Sequence, residues 1–289
     1  MKVQIPFSAR VALETAVVTH GLPKPHNRLC ATQMSEAVRS EGAEPAVIGY
    51  IDGRAIIGLS EAELDWLAEY PAPAKIALHN MGIASAMKMT GGTTVSATAW
   101  LAHRAGIVVV ATGGIGGVHR GELNDVSADL PTLAQTPVLV VCSGAKVILD
   151  LPNTREWLET WGIPVIGFGT DELPGFYTPR TGLRVDVQVG TVEAVVELWE
   201  AHQPLGRAML VVQPPPANEA IPPDEMDAML RRALQECEQA GVRGSAVTPW
   251  LLERLSTLSE GRTLAVNLAL LEANARLAGK IAKALSDGV

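Results

Sequence analysis

IVVVATGGIGG, residues 107–117, decides the fold. Ile107–Ala111 is a short apolar run rich in β-branched residues, the composition of a buried strand. A glycine-rich stretch follows at once, so a flexible backbone sits where the strand ends. The whole run is too short and too rich in glycine to span a bilayer.

Working outward, the same kind of run recurs along the chain. Further strands are expected at Val11–Val18, Ala46–Ile51, Ala55–Leu59, Ile76–Leu78, Val138–Cys142, Pro164–Phe168, Arg184–Val189 and Ala208–Val212. Amphipathic segments alternate with them at Arg28–Ser40, Glu61–Glu69, Thr93–Arg104 and Val192–His202. Ser60 and Glu63 form a capping box at the second of these helices. Three more helices, Pro223–Ala240, Pro249–Ser259 and Thr263–Leu285, close the chain. Strands alternating with helices indicate an α/β fold, in three layers α/β/α. Asp52–Gly53 reads as a tight hairpin, which makes the central sheet mixed but mostly parallel, with a helical C-terminal extension. The proline-rich QPPPANEAIPP (213–223) is flanked closely by apolar runs and reads as a surface crossover, not a linker. Residues 1–289 are therefore expected to form a single domain.

A hydrophobic content of 47% against 19% charged residues indicates a buried core and not disorder. The net charge of −8 and the absence of a basic cluster argue against a nucleic-acid surface. Cys30, Cys142 and Cys237 are odd in number and show no CxxC spacing, which fits free thiols and not a disulfide framework. Cys142, in VLVVCSGAK, reads as a core thiol. Ser8, Arg10 and Glu14 break any apolar leader, and no segment reads as membrane-spanning, so a cytoplasmic protein acting on small molecules is expected.

Ligands in open α/β sheets collect where strands end. Four stretches place reactive groups there. Glu14 stands within an apolar strand pattern, where a carboxylate is either protonated and paired, or lies on the solvent face of an edge strand. TGGIGGVHRGELNDVSADL (112–130) offers a loop that presents backbone N–H groups, a histidine, and Asp125 and Asp129 four apart. If helical, this pair shares one face, an arrangement that suits a hard divalent cation as well as a solvated surface. It matches neither nucleotide-loop fingerprint. Lys146 follows an apolar strand and a Ser-Gly-Ala turn. Held among Val, Ile and Leu, its amine would have a lowered pKa and serve as a nucleophile, or its stem snorkels to water. Asn267, on a mostly apolar helix, faces either a site or another helix.

Taken together, ALETAVVTHGLPKPHN, TTVSAT, TGGIGGVHRG, DVSADL, VCSGAKVILDL, LETWGIPVIGFGTDELPGFY, VTPWLLERL and GRTLAVNLALLEANARLA resemble the pseudouridine-5′-phosphate glycosidase family, which includes the indigoidine-synthase-A-like proteins. The runs stand in the family's order over nearly the whole chain. The resemblance implies reversible cleavage of the C–C bond between C5 of uracil and C1′ of ribose 5-phosphate. It implies Lys146 as nucleophile forming an imine with the opened sugar, Glu14 as proton donor, and Asp125 as ligand of a divalent metal, Mn²⁺. It further implies substrate contacts from Lys75, Val95, Ser127, Ala128 and Asp129, with His119 and Asn267 near the pocket, and a homotrimer.

Three features depart from the family. KIALHN (75–80) keeps Lys75 but lacks two arginines, which are strong bidentate partners of phosphate. The ELN loop (122–124) is shorter, and QPPP replaces Asn-Pro-Ile-Pro. These departures bear on the substrate, and admit a C-glycosynthase that joins ribose 5-phosphate to a different carbon nucleophile.

Overall fold

A computed structural model of the chain describes residues 9–121, 125–243 and 247–288; the short ELN loop lies outside the described residues. The strands are β1 (Arg10–Leu13), β2 (Glu44–Ile51), β3 (Arg54–Ile57), β4 (Ala74–Ile76), β5 (Gly91–Thr93), β6 (Val109–Ala111), β7 (Leu139–Cys142), β8 (Val165–Phe168), β9 (Val187–Val189) and β10 (Met209–Val212). They form one sheet in the order β4-β5-β2-β1-β6-β7-β10-β8-β9, with β3 paired to β2. Only the β2–β3 and β2–β5 pairs are antiparallel. The sheet is mixed and mostly parallel, as the sequence indicates. At the β2–β3 hairpin, Asp52 and Gly53 both take positive φ, 48° and 77°, as a tight two-residue turn requires.

No residue of β6, β7 or β10 is exposed. Parallel strands covered on both faces read as continuous apolar runs, which is why these three are legible in the sequence. The long helix α10 (Arg262–Asp287) crosses β1, β6 and β7 beside α1 (His26–Ser40) and α7 (Val192–His202). On the opposite face, α4 (Val95–Arg104) packs on β1 and β6 together with α5 (Asp129–Leu133). The helical segment after the last strand thus returns to the sheet: Val266, Leu270, Ala275, Ala278 and Ile281 of α10 are all fully buried. The remaining helices are α2 (Glu61–Glu69), α3 (Met81–Ala86), α6 (Leu151–Thr160), α8 (Pro223–Gln239) and α9 (Val247–Leu258). Ser60 and Glu63 make the expected capping box on α2.

Three local expectations are corrected. The strand expected to reach Val18 stops at Leu13, and Val17–Gly21 forms a single π-helical turn. The cause is local: the Glu14 carboxylate accepts the Val17 N–H at 3.1 Å, and the Thr15 carbonyl accepts from Val18 and Thr19 at 3.0 Å each. Glu14 therefore stands just past the end of a strand and not within one. Thr93, expected to open a helix, ends β5 instead, and α4 starts at Val95. Arg184–Asp186 lie outside β9. All three cysteines are free and buried, and burial pushes the Cys142 thiol up to about 12, as befits a core thiol. Among the described residues, no helix is long and apolar enough to cross a membrane.

The strand β5, Gly-Gly-Thr, carries no apolar signal. Its glycines are required by close approach: a Cβ on Gly91 would lie 1.9 Å from the Ala74 carbonyl oxygen of the neighbouring strand. Gly91→Ala is accordingly expected to destabilise the protein by about 2–3 kcal/mol in urea unfolding. Gly82→Ala in α3, where an added methyl meets nothing within 4 Å, should leave the midpoint unchanged or raise it.

Candidate active site

The neighbouring parallel strands β1, β6 and β7 end side by side, and the chain beyond each carries a polar group. After β1 comes Glu14; after β6, Thr112 and the glycine loop; after β7, Ser143-Gly144-Ala145-Lys146. The two loops after β6 and β7 continue the ladder of their strands. Thr112 N–H donates to Val141 C=O at 3.1 Å and Ser143 N–H to Gly113 C=O at 2.9 Å. Ile115 N–H then donates to Gly144 C=O at 3.0 Å, and Lys146 N–H to Ile115 C=O at 3.3 Å. The lysine is thereby fixed on the wall of the glycine loop, flanked by buried Ala145, Val147 and Ile148.

Glu14 accepts the Thr112 hydroxyl at 3.0 Å on one carboxylate oxygen and the Val17 N–H on the other. Burial raises its pKa above the usual carboxylate range; Asp129 adds to the rise, while Lys146 and the Thr112 hydroxyl oppose it. Lys75 is held below the usual lysine range, first by partial burial and then by the charge of Lys146, against Asp129 and Glu14. Two lysines and two carboxylates predicted from sequence thus share one electrostatic site. His20 joins at the rim: burial and then Lys75 lower its pKa, and its ring lies 2.7 Å from the Thr19 hydroxyl.

Asp129 is buried, and its carboxylate is fully engaged. It accepts Ser96 N–H at 2.9 Å, in the first turn of α4, and Gly116 N–H at 2.8 Å, in the glycine loop. A carboxylate is favoured at a helix N-terminus, where N–H groups lack partners inside the helix. Val95, at the start of α4, is buried beside this junction. Ser127 accepts the Asp129 N–H at 3.2 Å, and Ala128 precedes α5. A Cβ on Gly116 would lie 2.2 Å from the Ser127 hydroxyl, so only glycine lets this loop come so close.

The reading of Asp125 and Asp129 as one helix face is overturned, because α5 begins only at Asp129. Asp125 lies in the preceding loop, half exposed, with one carboxylate oxygen 3.0 Å from His119 Nδ1. His119 also donates its backbone N–H to Asp125 C=O at 2.8 Å. Among the described residues no group of three or more His, Cys, Asp or Glu side chains is placed to hold a metal. The donor set therefore does not form a protein cage. Toward a hard cation the chain offers here one exposed carboxylate, that of Asp125.

Asn267 is half-buried on α10, and its Oδ1 is buried without a hydrogen-bond partner among the described residues. The asparagine that holds the loops is another, Asn274, two turns further on. Its amide donates to Thr112 C=O at 2.9 Å and to the Ser143 hydroxyl at 3.2 Å, and its oxygen accepts from Gln213 Nε2 at 2.9 Å. Thr112 and Asn274 are the residues that reading the sequence missed. In LEANARLA, Asn274 is one of three polar residues, and only its long-range contacts set it apart.

Known proteins resemble this chain over nearly its whole length. The family described as Indigoidine synthase A like protein matches residues 7–284. A pseudouridine-5′-phosphate glycosidase from Gemmatimonas aurantiaca is 52% identical, over 97% of this chain and 92% of that protein. One from Herpetosiphon aurantiacus is 46% identical, over 96% and 93%. Among solved structures, an indigoidine synthase A-like protein from Thermotoga maritima superposes with a TM-score of 0.88 at 39% identity, covering 96% of this chain and 93% of that one. The prealnumycin C-glycosynthase AlnA, in complex with ribulose 5-phosphate, superposes at 0.89 with 36% identity, covering 96% and 91%. The chain belongs to the indigoidine-synthase-A-like family.

Proposed function

We infer that this chain is a pseudouridine-5′-phosphate glycosidase, which cleaves the C–C glycosidic bond reversibly to uracil and ribose 5-phosphate. The observation that carries the reading is the placement of Glu14, Lys75, Asp129 and Lys146 in one site at the strand ends, in a chain 52% identical to a relative of that name.

A C-glycoside has no acetal oxygen to protonate, so the paired-carboxylate route of ordinary glycosidases lacks a leaving atom. An amine offers another path. Lys146 Nζ attacks C1′, the C1′–O4′ bond breaks, and the ring oxygen takes up a proton. Glu14 then delivers its proton to C5 of uracil as the C1′–C5 bond breaks. The nitrogen lone pair forms the C=N bond of an imine, and water releases ribose 5-phosphate and the free lysine. Glu14 serves this step because burial keeps its carboxyl protonated to higher pH than usual. Lys75 and His20 at the rim supply positive charge and a hydrogen-bonding ring for the 5′-phosphate. That AlnA was solved with a pentose phosphate, ribulose 5-phosphate, supports a sugar phosphate as the ligand class. Joining ribose 5-phosphate to another carbon nucleophile is the second reading, favoured by the KIALHN departure and the likeness to AlnA.

Asp125 would hold a divalent cation, Mn²⁺, whose charge would neutralise phosphate. Assembly as a homotrimer is proposed with it, on the family resemblance of the chain.

Borohydride added with ribose 5-phosphate should reduce the imine and leave a pentose phosphate on Lys146, read by peptide mass; an adduct elsewhere, or none, defeats the mechanism. Lys146→Ala should abolish both adduct and turnover. For Glu14→Gln, turnover should fall at least about a hundredfold. In the parent enzyme, cleavage should decline as pH rises through the raised Glu14 pKa, because the acid form is lost, and this limb should be absent from the residual activity of the variant. Chelation followed by Mn²⁺ should restore activity to the parent but not to Asp125→Ala; activity that survives chelation excludes the metal role.

A further inference from the structure

Asn274 bonds both loops from which the proposed acid and amine are held. It is fully buried on α10, the helix that crosses β1, β6 and β7. Its Nδ2 donates to the Thr112 carbonyl at 2.9 Å, approaches that of Gly113 at 3.4 Å, and meets the Ser143 hydroxyl at 3.2 Å. Thr112 in turn donates its hydroxyl to Glu14 at 3.0 Å. Ser143 opens the four-residue turn that ends in Lys146, and its N–H is held by Gly113 C=O at 2.9 Å. Gln213, just past β10, fixes the Asn274 oxygen at 2.9 Å, so the amide cannot rotate freely. One planar amide therefore ties the loops after β6, β7 and β10, and lies one residue's hydrogen bond from Glu14.

We propose that Asn274 is a positioning residue, setting Glu14 through Thr112 and Lys146 through Ser143 so that acid and amine face the same carbon. The proposal rests on Glu14 and Lys146 having the roles given above. A buried amide that only filled backbone hydrogen bonds would also stabilise the fold. What separates the two is transmission to Glu14, whose ionised form the Thr112 hydroxyl stabilises. Groups that share the surroundings of Glu14 are Lys146 beyond β7, Asp129 at α5, Lys75 in β4 and Cys30 in α1, and none of these bonds Asn274.

The test is a comparison of Asn274→Ala, Thr112→Val and the double variant by pH–rate profile, kcat and KM. Asn274→Leu, close in size, uncharged and lacking the donor, stands in if alanine prevents folding. Loss of Asn274 should lower kcat about tenfold or more with KM nearly unchanged, since small misplacements of reacting groups are costly. It should also move the falling limb of the profile to higher pH. The same upward move is expected in Thr112→Val, and the double variant should move no further than Thr112→Val alone. Reduced thermal stability with an unmoved limb, or additive limb shifts, overturns the proposal. If the parent limb persists in Glu14→Gln, it is the assignment of Glu14 that fails, and the two failures are told apart.

Discussion

The ladder that runs on beyond β6 and β7 is the constraint on which the site depends. Strands normally lose their pairing where they end, and loop amides then turn to water or to side chains. Here the backbone bonds continue from Thr112 to Ile115 on one side and from Ser143 to Lys146 on the other. A loop paired in this way has little freedom, so a lysine at its end is held as firmly as a residue within a strand. Side chains complete what backbone pairing leaves open. Asp129 ties the glycine loop to the first turn of α4, and Asn274 ties both loops to the helix above.

Charge distribution follows from this framework. Burial disfavours every charged form, and it acts on Glu14 and Lys75 alike, raising the first and lowering the second. Two lysines facing one another deepen the effect on Lys75. A phosphate dianion placed beside them would relieve that repulsion, which would couple its binding to their protonation. Each carboxylate oxygen of buried Asp129 accepts one backbone N–H, from Ser96 and from Gly116.

Much of the frame was legible in the sequence. Fully buried parallel strands announce themselves as unbroken apolar runs, and the Ser60 capping box and Asp52–Gly53 turn have local signatures. The strand β5 was not legible, because its residues were set by the closeness of Ala74 and Thr15 and not by apolar burial. The end of β1 was likewise set by a side chain, Glu14, that caps the turn after it. Glu14 and Lys146 stood out as charges among apolar neighbours, a contrast any reader of sequence can see. Thr112 and Asn274 did not, since threonine beside a glycine loop and asparagine on a helix are both ordinary until long-range contacts pair them.

The KIALHN stretch gains a different meaning from its hydrogen bonds. Asn80 Oδ1 accepts the Ala77 N–H at 2.8 Å, and its Nδ2 donates to the Lys75 carbonyl at 3.1 Å. Leu78 N–H is taken by Ser96 at 3.2 Å, in the same first turn of α4 that Asp129 caps. The segment without arginines therefore closes a compact turn that holds the backbone of Lys75 against the α4 terminus. A guanidinium in this turn would supply charge, whereas Asn80 supplies placement for Lys75. The turn thus fixes where Lys75 stands relative to the first turn of α4.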